Sequence, residues 1–400
     1  MPDYGLNEEQ ELFKKSVREF CMRTIAPRAR EMDEKGEIPE EIFSGMTKMG
    51  FFGLTYSKEY GGTESDFTTA AIVAEELARA DISCALAVYY LVQAGWGYIF
   101  NKYAKPELKE KILPSVIEGK TFLGIGSTEP GGGSDVANIK TTAKKATNGW
   151  IINGEKAYLS GVKEAATRGG GYMTLVKTAP DLKHKGMSFI YIPVKDTSGI
   201  TVSTVRNMGR TGISTGGFTA DNVNVPDENL VGEVNQGFYY AMEGFSGARV
   251  LVAAACVGAS ERAIEMGIDY LRQREAFGKK IGMFQGLQFS LADAYAELEA
   301  SRLLTYRAAW MVDEMNKSGR FDSHEVAKAV ALAKLYAPVR AFSIMNDVMT
   351  WHGAYGYSKD CEIEMGVRGV RSYTVGAEGS QNVMRNIIVR ELLGREFVTY

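Results

Sequence analysis

The feature that most constrains this chain is that its apolar residues change period twice. From Asn7 to about Gly119 they recur at helical spacing; from Phe122 to Gly237 they fall in short alternating runs between dense glycines; from Phe238 onward the helical spacing returns. A 3.6-residue pattern cannot bury one face as a strand, nor an alternating pattern as a helix, so the order must be helical, then β, then helical. In the first stretch, GEIPEEIFSGMTKMGFFGL reads as a helix with Pro39 in its first turn. FTTAAIVAEELARADISCALAVYYLVQAGWGYIFNKYA is apolar nearly throughout and predicts two buried helices broken near Ala80-Asp81. In the middle, runs such as TFLGIGST, GWIINGEKAYLS and MSFIYIPV, with turn signals at Asn148-Gly149 and Asn153-Gly154, predict an antiparallel β-domain of about seven strands. The last segments are long and apolar over a wide face, as in a helical bundle. The expected fold class is α+β, with an N-terminal all-α domain over 1–121, a middle antiparallel, barrel-like β-domain over 122–237 and a C-terminal helical domain over 238–400.

Charge excludes several function classes. The 46 basic and 49 acidic residues are interspersed, with no like-charge block for a nucleic-acid arm or a polybasic membrane anchor. No run of about 18 apolar residues suggests a membrane span, and MPDYGLNEEQELFKKSVREF reads as a charged amphipathic helix rather than a signal peptide. Cys21, Cys84, Cys256 and Cys361 form no CxxC pair, and His184, His324 and His352 show no ligand spacing, so no metal site is expected. Scattered free thiols fit a reducing cytoplasm.

Three stretches carry chemistry-bearing residues. GIGSTEPGGGSD, residues 124–135, sets Ser127, Thr128, Glu129, Ser134 and Asp135 among glycines that let backbone N–H groups approach a planar or anionic ligand. It is neither a GxxxxGK[ST] loop nor a dinucleotide fingerprint opening a helix, and composition alone leaves a plain turn-rich loop equally open. RQREAFGKK places Arg274 and Phe277 at a break between long helices, where they could hold a phosphate and stack on a ring, or simply cap an interhelix turn. In SYTVGAEGSQNVMRNIIVRELLG a single acid, Glu378, precedes a helix start.

Taken together, STEPGGGSD, the β-region, LRQREAFGKKIGMFQ, WHGAYGY and EGSQNVMRNIIVRELLG, with KEYGGT near the start, resemble the acyl-CoA dehydrogenase family in order and spacing, from Gly5 to Arg395. That resemblance implies a four-helix bundle for the C-terminal domain, an FAD cofactor, an acyl-CoA substrate, an electron-transferring flavoprotein as partner, and a homotetramer built as a dimer of dimers. It implies that Ile125, Ser127 and Thr128 line the flavin, with Ser134 nearer the acyl-CoA, and that Tyr158 and Ser160 stand where the family carries Trp and Thr beside the ring. Arg274, Phe277 and Gln285 match residues that reach the FAD of a neighbouring subunit, and Ser380 matches a hydroxyl near the adenosine half. Glu378 corresponds to the base that removes the α-proton, and Gly379 follows it at the thioester. A few members carry that base on the first bundle helix instead, where this chain has Ala248. Arg249 matches an Arg near the CoA. The chain departs from the pattern at Thr350, at Ala377 and at Gly369, and it is about one residue longer between Tyr357 and Glu378.

For the acyl group, the resemblance points to SCALAVYYLVQAGW, residues 83–96, with Tyr89, Tyr90 and Trp96 as candidate contacts. No basic residue lies there to pair a distal carboxylate, so a short, branched, cyclic or aromatic acyl group is expected. Arg168 offers a dicarboxyl alternative from the β-domain. Enoyl-CoA reduction, or flavin binding without dehydrogenase activity, are the competing readings.

Overall fold

A computed structural model describes residues 5–398; residues 1–4 and 399–400, at the ends of the expected first and last domains, lie outside the described residues. The N-terminal region is helical: α1 (Glu8–Phe20), α2 (Ala29–Lys35), α3 (Glu40–Lys48), α4 (Phe67–Ala80), α5 (Ala85–Leu91), α6 (Gly97–Tyr103) and α7 (Pro106–Ile117). Asn7 and Gln10 form a capping box on α1, each side chain taking the other's backbone N–H. Pro39 is the residue before α3, one position outside the expected first turn. The break at Asp81 is held by its carboxylate, which accepts from the Ser83 N–H and hydroxyl and from the Leu86 N–H at 3.1 Å. Between α5 and α6 a single π-turn, Val92–Trp96, inserts an extra residue and re-aims the helix faces.

The chain then enters a mixed sheet of eight strands: β1 (Phe122–Gly126), β2 (Thr142–Ala146), β3 (Gly149–Ser160), β4 (Gly170–Lys177), β5 (Met187–Pro193), β6 (Ile200–Val205), β7 (Thr215–Val225) and β8 (Leu230–Val231), with the short α8 (Val162–Arg168) between β3 and β4. The order is β6-β7-β3-β2-β4-β5-β8, and β1 pairs with β4. The sheet is antiparallel except where β1 runs parallel to β4 and where β2 meets β4, also in parallel, at Thr142↔Lys177. The parallel pair arises because β1 comes directly from the helical domain rather than from a hairpin. Asn153-Gly154 is not a turn: β3 continues through it, with a register shift against β7 between Ile152 and Gly154.

The C-terminal region holds α9 (Gly237–Gln273), a small hairpin of β9 (Glu275–Ala276) and β10 (Lys279–Lys280), then α10 (Gln285–Ser318), α11 (Ser323–Trp351), α12 (Ile363–Val375) and α13 (Gln381–Leu393). α9, α10 and α11 pack on one another, α13 completes the bundle on α11, and α12 crosses beside them. By length and composition α9 could cross a bilayer, but most of it is buried against its neighbours, among them α4 and α11. Gly95 faces Ala248 so closely that a Cβ on Gly95 would lie 3.2 Å from the Ala248 Cα. Asp313 of α10 accepts the Phe67 and Thr68 N–H groups at 2.7 and 2.9 Å, tying the start of α4 to the bundle. One continuous hydrophobic core runs through all three regions.

Candidate active site

A cavity of about 1400 Å³ lies where the three regions meet. That exceeds the roughly 300–1,000 Å³ of an ordinary small-molecule pocket and leaves room for a dinucleotide together with a second ligand. From β1 and the loop after it come Ile125, Ser127, Thr128 and Ser134; from β3 come Tyr158 and Ser160. The hydroxyls of Ser127 and Thr128 have no protein partner among the described residues, and Cβ atoms at Gly131 and Gly132 would meet open space. Glu129 fixes this loop: its buried carboxylate accepts from the Lys140 and Thr141 N–H groups at 2.6 and 2.9 Å and from the Lys156 ammonium at 3.0 Å. Tyr158 sits at a register shift between Lys156 and Leu159, with φ +57°, and its ring is exposed to the cavity.

Opposite stands the turn between α12 and α13. Glu378 adopts φ +55°, a left-handed conformation uncommon for a residue with a side chain. Gly379 bonds back to Gly376, and the Ser380 hydroxyl caps α13 by accepting the Val383 N–H. Glu378 lies deep in the fold and its accessible surface belongs to the cavity. Among the described residues its carboxylate accepts one hydrogen bond, from the Trp96 indole N–H at 3.2 Å. Arg249, stacked over Phe245 at 4.8 Å, donates to the Glu378 carbonyl at 2.9 Å. Lys334 of α11 is fully buried and donates to the next carbonyl, of Gly379, and to that of Tyr373 at 3.1 Å. The Glu378 N–H has no acceptor among the described residues, so it is free for a ligand.

Two influences compete on the Glu378 carboxyl. Burial, which penalises the anion, outweighs the Trp96 hydrogen bond and the charges of Arg249, Lys334 and Arg210, and the carboxyl is held above the usual range. The same burial lowers the Arg249 guanidinium to about 10 and the Lys334 ammonium to about 8. The site is therefore a buried acid, ringed by cations and poised to exchange a proton.

Trp96, Arg249, Glu378, Gly379 and Ser380 thus share the cavity with Ile125, Ser127, Thr128, Ser134, Tyr158 and Ser160. Tyr89 and Tyr90 do not line it. They are fully buried on the far side of α5, Tyr89 against Phe43, Phe52 and Phe122, and Tyr90 against Phe51. Val88, Leu91 and Val92 face the cavity in their place. Arg168 is also elsewhere: it pairs with Glu40, donates to the Gly119 carbonyl at 2.8 Å and stacks on Phe43 at 4.2 Å. Arg274, Phe277 and Gln285 lie outside this chain's cavity, at the hairpin beyond α9, where Phe277 is 94% exposed.

Two cations were not singled out by sequence. Lys334 left a faint signal, the second of two Lys inside the alanine-rich VAKAVALAKLYAP. Arg210, in a turn before β7, left none; it lines the cavity and donates to the Ser160 hydroxyl at 3.1 Å. Gly369 has a packing reason: a Cβ there would come within 2.3 Å of the Ser83 carbonyl oxygen.

The sequence is matched along nearly its whole length by three family models: the acyl-CoA dehydrogenase N-terminal domain over residues 7–120, the middle domain over 124–223 and the C-terminal domain over 235–393. Among curated relatives, a 3-(aryl)acrylate reductase of Clostridium sporogenes is 34% identical over 388 residues, covering 96% of this chain and 99% of that protein. Among solved structures, a glutaryl-coenzyme A dehydrogenase in complex with glutaryl-CoA superposes with a TM-score of 0.89 at 31% identity, covering 99% of this chain and 98% of that one. A chain from structural work on the electron transferring flavoprotein of Acidaminococcus fermentans gives a TM-score of 0.90 at 29% identity, covering 98% of this chain and all of that one. This chain belongs to the acyl-CoA dehydrogenase family of oxidoreductases.

Proposed function

We propose that this chain oxidises a short acyl-CoA to the 2-enoyl-CoA, with FAD in the cavity and Glu378 as the base. The observation that carries this reading is a buried carboxyl facing the cavity, held by Trp96, with a free backbone N–H beside it. The unpartnered hydroxyls of Ser127 and Thr128, the open glycine loop and the Tyr158 ring suit a flavin. FAD bound there would take up the β-hydrogen as hydride, supplying the two-electron oxidation.

The rest falls to the protein. Glu378 accepts the α-proton, and its elevated proton affinity narrows the gap to the thioester's weakly acidic C–H. The Glu378 N–H can donate to the thioester carbonyl, where negative charge develops. Val88, Leu91, Val92 and Phe245 give the acyl group a dry apolar wall that branched, cyclic or aryl carbon skeletons can fill. Arg249 holds the base loop from the CoA side.

Electrons pass on to an electron-transferring flavoprotein in this reading. Arg274, Phe277 and Gln285, outside the chain's own cavity, serve the cofactor of a neighbouring copy in a homotetramer of two dimers, and the exposed Phe277, Phe289, Leu392 and Leu393 support such association. The four buried free cysteines suit a cytoplasmic setting. The similarity to a reductase favours a second reading, in which Glu378 delivers a proton to Cα of an enoyl-CoA.

The test is anaerobic bleaching of the bound flavin by a panel of acyl-CoAs, with Glu378→Gln as the control. The variant should keep its FAD and lose bleaching by several orders of magnitude; bleaching at the wild-type rate would remove Glu378 from the role. Re-oxidation of the reduced holoenzyme by 2-enoyl-CoA, faster than acyl-CoA reduces it, would favour the reductase direction.

A further inference from the structure

Lys334 lies on α11 with no accessible surface, and it does not line the cavity, so a ligand held there cannot touch it. Among the described residues its ammonium bonds to no acid. Its partners are two main-chain carbonyls, that of Tyr373 at 3.1 Å and that of Gly379. A charge without a counter-ion is costly to bury, and the two carbonyls show what this one is used for. They stand on either side of Glu378. Tyr373 is in the last turn of α12, where carbonyls lack helical partners, and the Gly376 and Ala377 N–H groups both go to Ser372. Gly379 precedes α13, and the Val383 N–H that helical spacing would bring to its carbonyl is taken by the Ser380 hydroxyl. Lys334 thus satisfies one open carbonyl at each end of the turn, and the negative end of the α12 dipole favours a cation there.

Two further observations fall on the same turn. Glu378 has φ +55°, a backbone state that persists only where its surroundings over-determine it. The Gly379 N–H bond to the Gly376 carbonyl at 3.0 Å and the Arg249 bond to the Glu378 carbonyl at 2.9 Å supply part of that hold. The electrostatic surroundings of Lys334 are also one-sided. Arg249 and Cys256 face it from α9, and Glu378 faces it from the turn. Arg249 has the same sign, and burial keeps the Cys256 thiol protonated, so the Glu378 carboxylate is the counter-charge. Arg249, Arg210 and the Trp96 indole act on that carboxylate as well.

We propose that Lys334 is a positioning residue for proton abstraction: by tying the end of α12 to the start of α13 it keeps Glu378 turned toward the cavity, and its charge favours the carboxylate form that accepts the proton. The inference rests on the reading of Glu378 as the base and adds a residue that acts through the turn rather than on the substrate. The hold comes from two hydrogen bonds and the electrostatic effect from one charge, so variants can separate them.

Lys334→Met fills a similar space with an apolar chain and removes both the bonds and the charge. In the holoenzyme, kcat for flavin reduction should fall at least about tenfold, toward the roughly 100-fold that a misplacement of about 1 Å can cost. KM should stay within a few-fold of wild type, since Lys334 touches no ligand. The acid limb of kcat/KM against pH should move up by about one unit, the low end for losing a nearby opposite charge. Lys334→Arg keeps the charge and should return the limb to its wild-type position. Infrared titration of the oxidised holoenzyme reads the same carboxyl without turnover: the band missing from Glu378→Gln belongs to Glu378, and in Lys334→Met it should titrate about one unit higher. The melting temperature should change little, because relief of a buried charge offsets the two lost bonds. A wild-type kcat in Lys334→Met, or a fall in melting temperature and activity with the infrared band unmoved, overturns the positioning role alone. Bleaching at the wild-type rate in Glu378→Gln overturns the base reading, and this role with it.

Discussion

Replacing Trp96 by Phe isolates the one hydrogen bond that the Glu378 carboxylate, the proposed base, accepts among the described residues. The indole N–H donates to Glu378 Oε1 at 3.2 Å, and the ring meets Phe245 edge-on with centroids 5.0 Å apart. Phe keeps an aromatic ring in that slot and removes the donor. A hydrogen bond to a charged group contributes about 1.5–3 kcal/mol. At 3.2 Å this one is at the long end of the range for N–H···O bonds, so the low figure applies, about 1.5 kcal/mol. The bond favours the carboxylate over the acid, so losing it raises the proton affinity by about one pH unit, at 1.36 kcal/mol per unit. The acid limb of kcat/KM against pH should therefore move upward by about one unit in Trp96→Phe. On the alkaline side of that limb the variant should react at a rate close to wild type, since its base is present and slightly stronger. The assay is stopped-flow flavin reduction from pH 5 to 9, with α-deuterated substrate confirming that proton removal limits the rate. A limb that stays fixed, or moves down, would refute the reading that the indole stabilises the ionised base.

Other consequences can be checked alongside. Because burial raises the Glu378 carboxyl above its unfolded value of about 4.3, the folded chain keeps a proton between those values that the unfolded chain has released. The group's contribution is present below that window and lost as pH rises through the folded value, so Glu378→Gln should melt higher than wild type at pH 8, with the gap closing toward pH 4. Lys334, lowered to about 8 by burial and by the neighbouring Arg249, should give activity a falling limb above about pH 8; Lys334→Arg, which cannot deprotonate there, should abolish that limb in the same stopped-flow series. Gly369→Ala should cost about 1–3 kcal/mol in chemical denaturation, because its new methyl meets the Ser83 carbonyl. Arg168→Ala should leave acyl preference unchanged and cost at most about 1 kcal/mol, as its Glu40 partner is largely exposed.

The three-region fold and the place of Glu378 in the cavity were legible because each leaves a local mark: a change of period, and an acid at a fixed distance before RNIIVRE. Two kinds of information were not. Which face of a helix meets the cavity depends on its phase, and the π-turn at Val92–Trp96 alters that phase with no marker in the letters LVQAGW. Tyr89 and Tyr90 look like acyl contacts by position, yet they point into the aromatic core with Phe43 and Phe51. The reach of single charged side chains was likewise hidden. Arg168 ends α8 and Arg210 stands in the turn before β7, each beside glycines, and only the fold shows that Glu40 claims the first while no acid among the described residues pairs with the second. The competition over the Glu378 proton depended on burial depth, which no motif encodes.

The contact between Gly95 and Ala248 sets a limit on where this enzyme's chemistry can reside. A methyl group added to Gly95 would already press on the α9 backbone, and Ala248 is fully buried with its Cβ facing Gly95. An acid transplanted to position 248 would press on the helix of the N-terminal domain at Gly95, next to Trp96, which donates to Glu378. The two possible addresses for a base are therefore mechanically coupled. An acid at position 248 and one at position 378 would compete for the same space beside Gly95 and Trp96.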